Sequence, residues 1–374
     1  MPAESTVPVE STVPAESTVP VESTVPAVDV HAHMAVPAVE ALLADDPGHA
    51  QQQRIDAATA GEASIAYNRA HFGQVIARLT DLDVRLAAMD KAGVDMQAVA
   101  PVPQSYAWAG RALAERIVAV TNEAVAGFCA RQPGRLLPVG TVALQHPELA
   151  AEQLRHAVTA LGLRGVQIST AAAPGMELDD PRLAEFWAAA EDLGAAVLIH
   201  PWGCTLGSRL NAYYLFNTVG NPVETALALS RIIFSGLLER HPGLKIWSAH
   251  GGGYLPSYIV RADHAWSARE DARTTQRPPS ELLRRTFADS LVYAPGQLLT
   301  MVTRRNREVA IRNSQKLCRH PCPETPRHAR NRGHMSGLRW LFVGQMSPLW
   351  AASASAALSA GSVHIGVRSH AHKW

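Results

Sequence analysis

The chain has 374 residues, 47% hydrophobic and 18% charged, a composition that suits a soluble globular protein with a large buried core. Four cysteines, Cys129, Cys204, Cys318 and Cys322, are too few and too scattered for a disulfide framework, and no apolar run reaches the roughly 18 residues a bilayer span needs. The net charge of +1 conceals a split: Thr303 to Trp374 carries 12 Lys and Arg against 2 Glu, leaving 22 basic against 31 acidic residues before it.

Residues 2–25 are four tandem hexads, PAESTV and PVESTV in alternation. With Pro and Glu in every repeat they offer too little apolar surface to offset the entropy of ordering, so residues 1–26 are expected to form a disordered acidic leader. The N-terminus also lacks the basic-then-apolar order of a signal peptide. A reducing, cytoplasmic location is the expectation.

From 27 to 302 short apolar runs alternate with longer amphipathic stretches. The runs are Val28–His31, Met96–Val102, Leu136–Leu144, Gly165–Ser169, Ala195–His200, Lys245–His250 and Phe287–Tyr293. Between them the pattern predicts helices, among them Asp81–Ala92 stopped by Gly93, and Pro181–Leu193 capped by Asp179 or Asp180. Near-continuous apolar strands alternating with helices specify a parallel sheet covered on its outer side. Seven such strands suggest an α/β fold of the TIM-type (β/α)8 barrel, incomplete by its eighth strand. The tail, 303–374, breaks the rhythm: Arg, His and Pro crowd without period, as in a disordered or out-of-frame terminus. Its Cys318, His320 and Cys322 resemble a metal cluster superficially, and accident is the better account of their spacing. Without aromatic interleaving, its arginines do not specify a nucleic-acid partner.

Chemistry concentrates at strand ends. In "VDVHAHM", His31 and His33 lie two residues apart and project to one face of a strand. His200 ends "AAVLIH" and His250 ends "KIWSAH". In a parallel barrel the C-terminal strand ends share one rim, so four histidines distant in sequence converge there, a pattern that suits a metal or catalytic site.

These residues carry a resemblance. "VDVHAHM", "LIHPWG", "SAHGGGYLPSYIVRADHAW" and "FADSLVYAPGQL" resemble the amidohydrolase-related decarboxylases, the group of aminocarboxymuconate semialdehyde and γ-resorcylate decarboxylases, over about 27–302. The resemblance implies a barrel of the metal-dependent hydrolase type, with His31, His33 and His200 as ligands of zinc or another divalent ion such as manganese. It implies His250 as the acid/base group beside the metal. It also implies a homodimer, in which Arg261 reaches a neighbouring subunit's pocket to hold a substrate carboxylate. Trp202 is similar to a pocket wall. Asp289 fits either a hydrogen-bonding role behind the ligands or a structural cap, and Arg69 or Arg78 matches a second substrate-binding arginine only loosely. The eighth-strand motif "GTDYPF" or "GSDYPF" of the relatives, with its aspartate ligand, has no counterpart here. The implied activity is removal of CO2 from a small unsaturated or aromatic carboxylic acid. Hydrolysis of a lactone or ester on the same site, and an inactive truncated barrel that only binds, are the alternatives.

Overall fold

The computed structural model describes residues 27–104 and 106–304. The hexad leader and the basic tail from residue 305 onward, with Cys318, His320 and Cys322, lie outside the described residues. Among the described residues nine strands occur in chain order: β1 Val28–Met34, β2 Met96–Pro101, β3 Leu136–Thr141, β4 Gly165–Ile168, β5 Ala171–Ala173, β6 Met176–Glu177, β7 Ala196–Ile199, β8 Lys245–Ser248 and β9 Phe287–Ala288. All seven predicted runs join one parallel sheet in the order β1-β2-β3-β4-β7-β8-β9, while β5 and β6 pair separately as a small antiparallel hairpin. Among the described residues no eighth strand follows β9, and β1 and β9 share no backbone pairing. Yet His31 of β1 touches Asp289, one residue past β9, at 2.5 Å. The sheet is therefore curled until its two free edges nearly meet, an incomplete TIM barrel.

Local chemistry explains the element ends. Asp81 accepts from the backbone N–H of Asp83 and Val84 at 2.9 and 3.0 Å, which starts the helix Leu82–Ala92, and Gly93 stops it in the left-handed region at φ 64°. The predicted helix Pro181–Leu193 divides into a 3-10 turn, Pro181–Leu183, and an α-helix, Ala184–Asp192, because Asp180 caps Arg182 N and tightens the first turn. Six of the seven runs give strands shorter than expected, β3 and β9 by the most. β3 ends at Thr141, and β9 pairs only over Phe287–Ala288, having a single neighbour to hold it. β1 is longer, so His33 lies inside the strand.

The largest core cluster lies between the middle of the sheet and its outer helices, with Phe186, Trp187, Val197, Ile232, Ile246 and Leu282 buried together. Inside the curl, Ala98, Ala100, Val139 and Leu198 pack with Trp247, small residues accommodating one large ring. No described helix is long and apolar enough to cross a membrane.

Candidate metal centre

Along β1 burial alternates: Val28, Val30, Ala32 and Met34 are buried, while Asp29, His31 and His33 are intermediate and share the inner face. The pairing with β2 shifts register between Asp29 and Ala32. Asp29 holds this irregularity, its Oδ1 accepting from His31 N at 3.0 Å. Its Oδ2 accepts from Gln97 Nε2 at 3.0 Å, and Gln97 Oε1 accepts from Arg85 Nη1 at 2.9 Å. Arg85, only 5% exposed, also donates Nη2 to the carbonyl of His33 at 2.5 Å. A buried polar chain thus braces the backbone on both sides of the histidine pair.

The four rings gather closely. His31 lies 5.0 Å from His33, 5.0 Å from His200 and 5.4 Å from His250, centroid to centroid, and His200 lies 5.1 Å from both His33 and His250. The prediction that separate strands bring these imidazoles to one rim is met. The donor atoms of His31, His200 and His250 all fall within 4.8 Å of one another, a set that differs from the expected ligand trio by having His250 in place of His33.

Hydrogen bonds at Nδ1 set the tautomers. His33 Nδ1 donates to Pro101 O at 3.2 Å, His200 Nδ1 to Pro201 O at 2.8 Å and His31 Nδ1 to Asp289 Oδ2 at 2.5 Å. Carbonyl and carboxylate oxygens only accept, so each Nδ1 carries the hydrogen, and in the neutral ring Nε2 then keeps a lone pair. The Nε2 atoms of His31 and His200 stand 3.3 Å apart. Between two neutral rings the lone pairs at that distance repel, whereas a tetrahedron with metal–nitrogen arms of about 2.0–2.1 Å has an edge of about 3.3 Å. His250 Nδ1 is buried and has no hydrogen-bond partner among the described residues. The donor chemistry and the spacing fit a divalent cation, and the unpartnered nitrogen of His250 leaves that ring able to exchange a proton beside it.

Charge follows the same design. Burial, reinforced by the neighbouring His31, lowers His33 to about 3 and holds His200 well below the ordinary imidazole value. Burial likewise lowers His250 to about 4. Burial alone would lower His31 too, but the Asp289 carboxylate outweighs it and raises the group. Asp289 would rise on burial, yet His31 and backbone N–H groups hold it well below the carboxylate range. It accepts from His31 Nδ1 and from the backbone N–H of His250, Gly251 and Leu291 at 2.5, 2.8, 2.8 and 3.1 Å.

His250 has a left-handed backbone, φ 56°, an uncommon conformation for a side-chain-bearing residue. The glycines after it make the turn possible. A Cβ at Gly251 would meet Val292 Cγ1 at 2.2 Å, and one at Gly253 would meet Pro222 O at 2.1 Å.

Trp202 lines cavities beside the cluster and donates Nε1 to Asp56 Oδ2 at 3.1 Å. Arg261 is exposed on the helix Leu255–Ala268 and makes no ion pair among the described residues. Arg69 is exposed and Arg78 half-buried on the helix Glu62–Thr80, and neither lines these cavities. The sequence reading overlooked Asp29, Gln97, Arg85 and Gln167. Asp29 was accessible, since it sits at same-face spacing in "VDVHAHM"; the other three meet the site only through tertiary folding.

Comparison with known proteins agrees with this architecture. The amidohydrolase family model matches residues 28–293. The chain is 33% identical over 269 residues to 2-amino-3-carboxymuconate-6-semialdehyde decarboxylase of Dictyostelium discoideum, covering 71% of this chain and 74% of that one. It is 33% identical over 214 residues to γ-resorcylate decarboxylase of Rhodococcus jostii, covering 52% and 64% respectively. Among solved structures, 5-carboxyvanillate decarboxylase from Sphingomonas paucimobilis is 26% identical with a TM-score of 0.63, over 75% of this chain and 85% of that one. The fold is also shared, at 20% identity and a TM-score of 0.58 over 75% and 83%, by a dihydroxybenzoic acid decarboxylase from Polaromonas that holds manganese. The chain belongs to the amidohydrolase family, beside relatives that are decarboxylases.

Proposed function

We propose that this protein is a metal-dependent carboxy-lyase that removes CO2 from a small unsaturated or aromatic carboxylic acid. The observation that carries the reading is the set of tethered imidazoles on β1 and after β7, each with Nδ1 bonded to an oxygen acceptor, the Nε2 atoms of His31 and His200 facing each other at 3.3 Å. His31, His33 and His200 would hold the ion, zinc by the softness and number of nitrogen donors. Manganese is the alternative, by likeness to the Polaromonas structure. Bound there, the ion would act as a Lewis acid on oxygen substituents beside the departing carboxylate.

The chain's own residues supply the rest. His250, neutral at pH 7 because burial depresses it, accepts a proton from solvent water and delivers it to the carbon as the bond to the departing CO2 breaks. Asp289 fixes both His31, through Nδ1, and His250, through its backbone N–H, so the two imidazoles keep one geometry. Trp202 forms a wall against which a planar substrate packs. Arg261 of a second copy would clamp a carboxylate in a bidentate fork. In support of such a homodimer, Tyr258 and Val260 are 63% and 50% exposed on the same helix as Arg261, and Tyr254 at its N-cap is 41% exposed. A cytoplasmic site of action accords with Cys129 and Cys204 being free thiols.

The deciding experiment is CO2 release from 2-amino-3-carboxymuconate-6-semialdehyde and from γ-resorcylate by the zinc- or manganese-loaded protein. Release above the metal-stripped control is expected. Silence across a panel of unsaturated and aromatic acids, or products that keep every substrate carbon, would overturn the reading.

A further inference from the structure

The loop that leaves β7 carries two side chains of the site and is held unevenly. At its start His200 is fixed twice, its backbone N–H donating to Ile168 O at 2.9 Å and its Nδ1 to Pro201 O at 2.8 Å. Trp202 lines both cavities beside the histidines, yet it is 36% exposed, so burial does not lock it. Pro201, Trp202 and Gly203 make no backbone–backbone hydrogen bond among the described residues. The indole Nε1 of Trp202 reaches Asp56 Oδ2 at 3.1 Å, and Gly203 then turns the chain through the left-handed region at φ 76°.

Glu224 grips the far end of this turn. It is buried in the first turn of the helix Asn221–Phe234, and its Oε1 accepts from both the backbone N–H and the hydroxyl of Thr205 at 2.8 Å. Its Oε2 lies 3.5 Å from Thr170 Oγ1, and the neighbours of Thr170, Ser169 and Ala171, line the inner cavity together with His200 and Trp202. One carboxylate thus ties the loops after β4 and β7, which wall the same cavity. Burying a carboxylate is costly; the charge-assisted bonds from Thr205 and the N-terminal end of its own helix offset that cost and hold it in one place.

We propose that Glu224 is a positioning residue for the substrate pocket: through Thr205 it sets where the Trp202 wall stands, and so governs how tightly substrate is held rather than the loss of CO2. The proposal rests on the decarboxylase reading for what the wall holds, and on geometry for the hold on Trp202. The donors that meet Glu224 in these bonds are neutral, so its oxygen matters and its charge does not. Glutamine keeps an acceptor for Thr205, whereas leucine has none.

The test compares Glu224→Gln, Glu224→Leu and, at an exposed position, Thr205→Val in the manganese-loaded full chain, with melting followed to confirm folding. In protein labelled with 5-fluorotryptophan, the fluorine resonance of Trp202 is identified by its absence from Trp202→Ala. It should shift or broaden in E224L, do so to a lesser degree in T205V, and stay in place in E224Q. For CO2 release from γ-resorcylate, E224L should raise KM about tenfold and T205V about threefold, with kcat within about twofold of the parent and E224Q close to the parent in both. In the W202A background E224L should add less than about twofold to KM, because the side chain it acts through is gone. Should E224L fail to fold, T205V decides alone. An unmoved resonance, a fall in kcat at constant KM, a penalty that persists in W202A, or E224Q behaving as E224L would overturn the proposal. Resonances that respond as expected in a protein that releases no CO2 sink the lyase and leave the positioning role standing. CO2 release with KM and the resonance untouched does the reverse.

Discussion

The middle of the sheet and its two free edges are built to different ends. At β4, β7 and β8 each strand has a neighbour on both sides, and the helices behind them bury Phe186, Trp187, Ile232 and Leu282 to 0–1% exposure. At the edges, β1 and β9 lack a shared ladder and are joined by one imidazole–carboxylate contact, His31 to Asp289. The contrast separates work: dispersion and apolar burial secure the centre, whereas polar contacts among ionisable groups hold the edges and form the site. Substitutions in the two regions should therefore fail in different ways.

His200→Ala removes an imidazole at the site and should reduce CO2 release by roughly 10³-fold or more, given the several kcal/mol a bound ion supplies. The circular dichroism spectrum should be kept, and an active H200A protein would erase the distinction. Trp187→Ala lies in the middle of the sheet's covering layer and also loses the Nε1 bond to Leu178 O at 2.9 Å. It should cost about 3–5 kcal/mol of stability. Metal content per folded molecule should be unchanged, as chemical denaturation and elemental analysis will show.

Asp289→Asn is the sharper edge substitution. It should weaken metal affinity by about 10–100-fold, measured by competition with a chelator. A deficit confined to stability would point to a purely structural Asp289.

Acid should loosen the edge first. The unfolded chain protonates histidine near pH 6.5, whereas in the folded chain His33 and His250 do so only at about 3 and about 4. The unfolded state thus binds more protons across that interval, so metal-free protein should lose stability progressively as pH falls from about 6.5. His31, raised by Asp289, opposes this; Asp289, depressed, adds to the loss only below the ordinary carboxylate range. Hydrogen exchange as a function of pH should show β1 and the turn after β8 opening before β7. Trp202→Phe should have the least effect, a few-fold rise in KM, since it deletes one half-exposed bond to Asp56.

Much of this arrangement was legible because it is periodic or local. Alternation along Val28–Met34 placed His31 and His33 on one face, and the apolar runs marked every strand of the main sheet. The Asp81 cap and the Gly93 stop were readable as single-residue signals. What stayed hidden depends on long-range meeting. Arg85 belongs to a helix whose pattern gives no reason for a buried guanidinium, and only the approach of that helix to β1 supplies one. The extent of β9 was overestimated because hydrophobicity records burial and cannot record a missing neighbour.

The carbonyl of Pro101 has a consequence for how variation at this protein can accumulate. It receives two hydrogens, one from His33 and one from Gln167, so side chains far apart in the chain lean on a single oxygen. Their substitutions should show epistasis: a double-mutant cycle joining them ought to depart from additivity, and a tolerated change at one position should alter which replacements the other accepts.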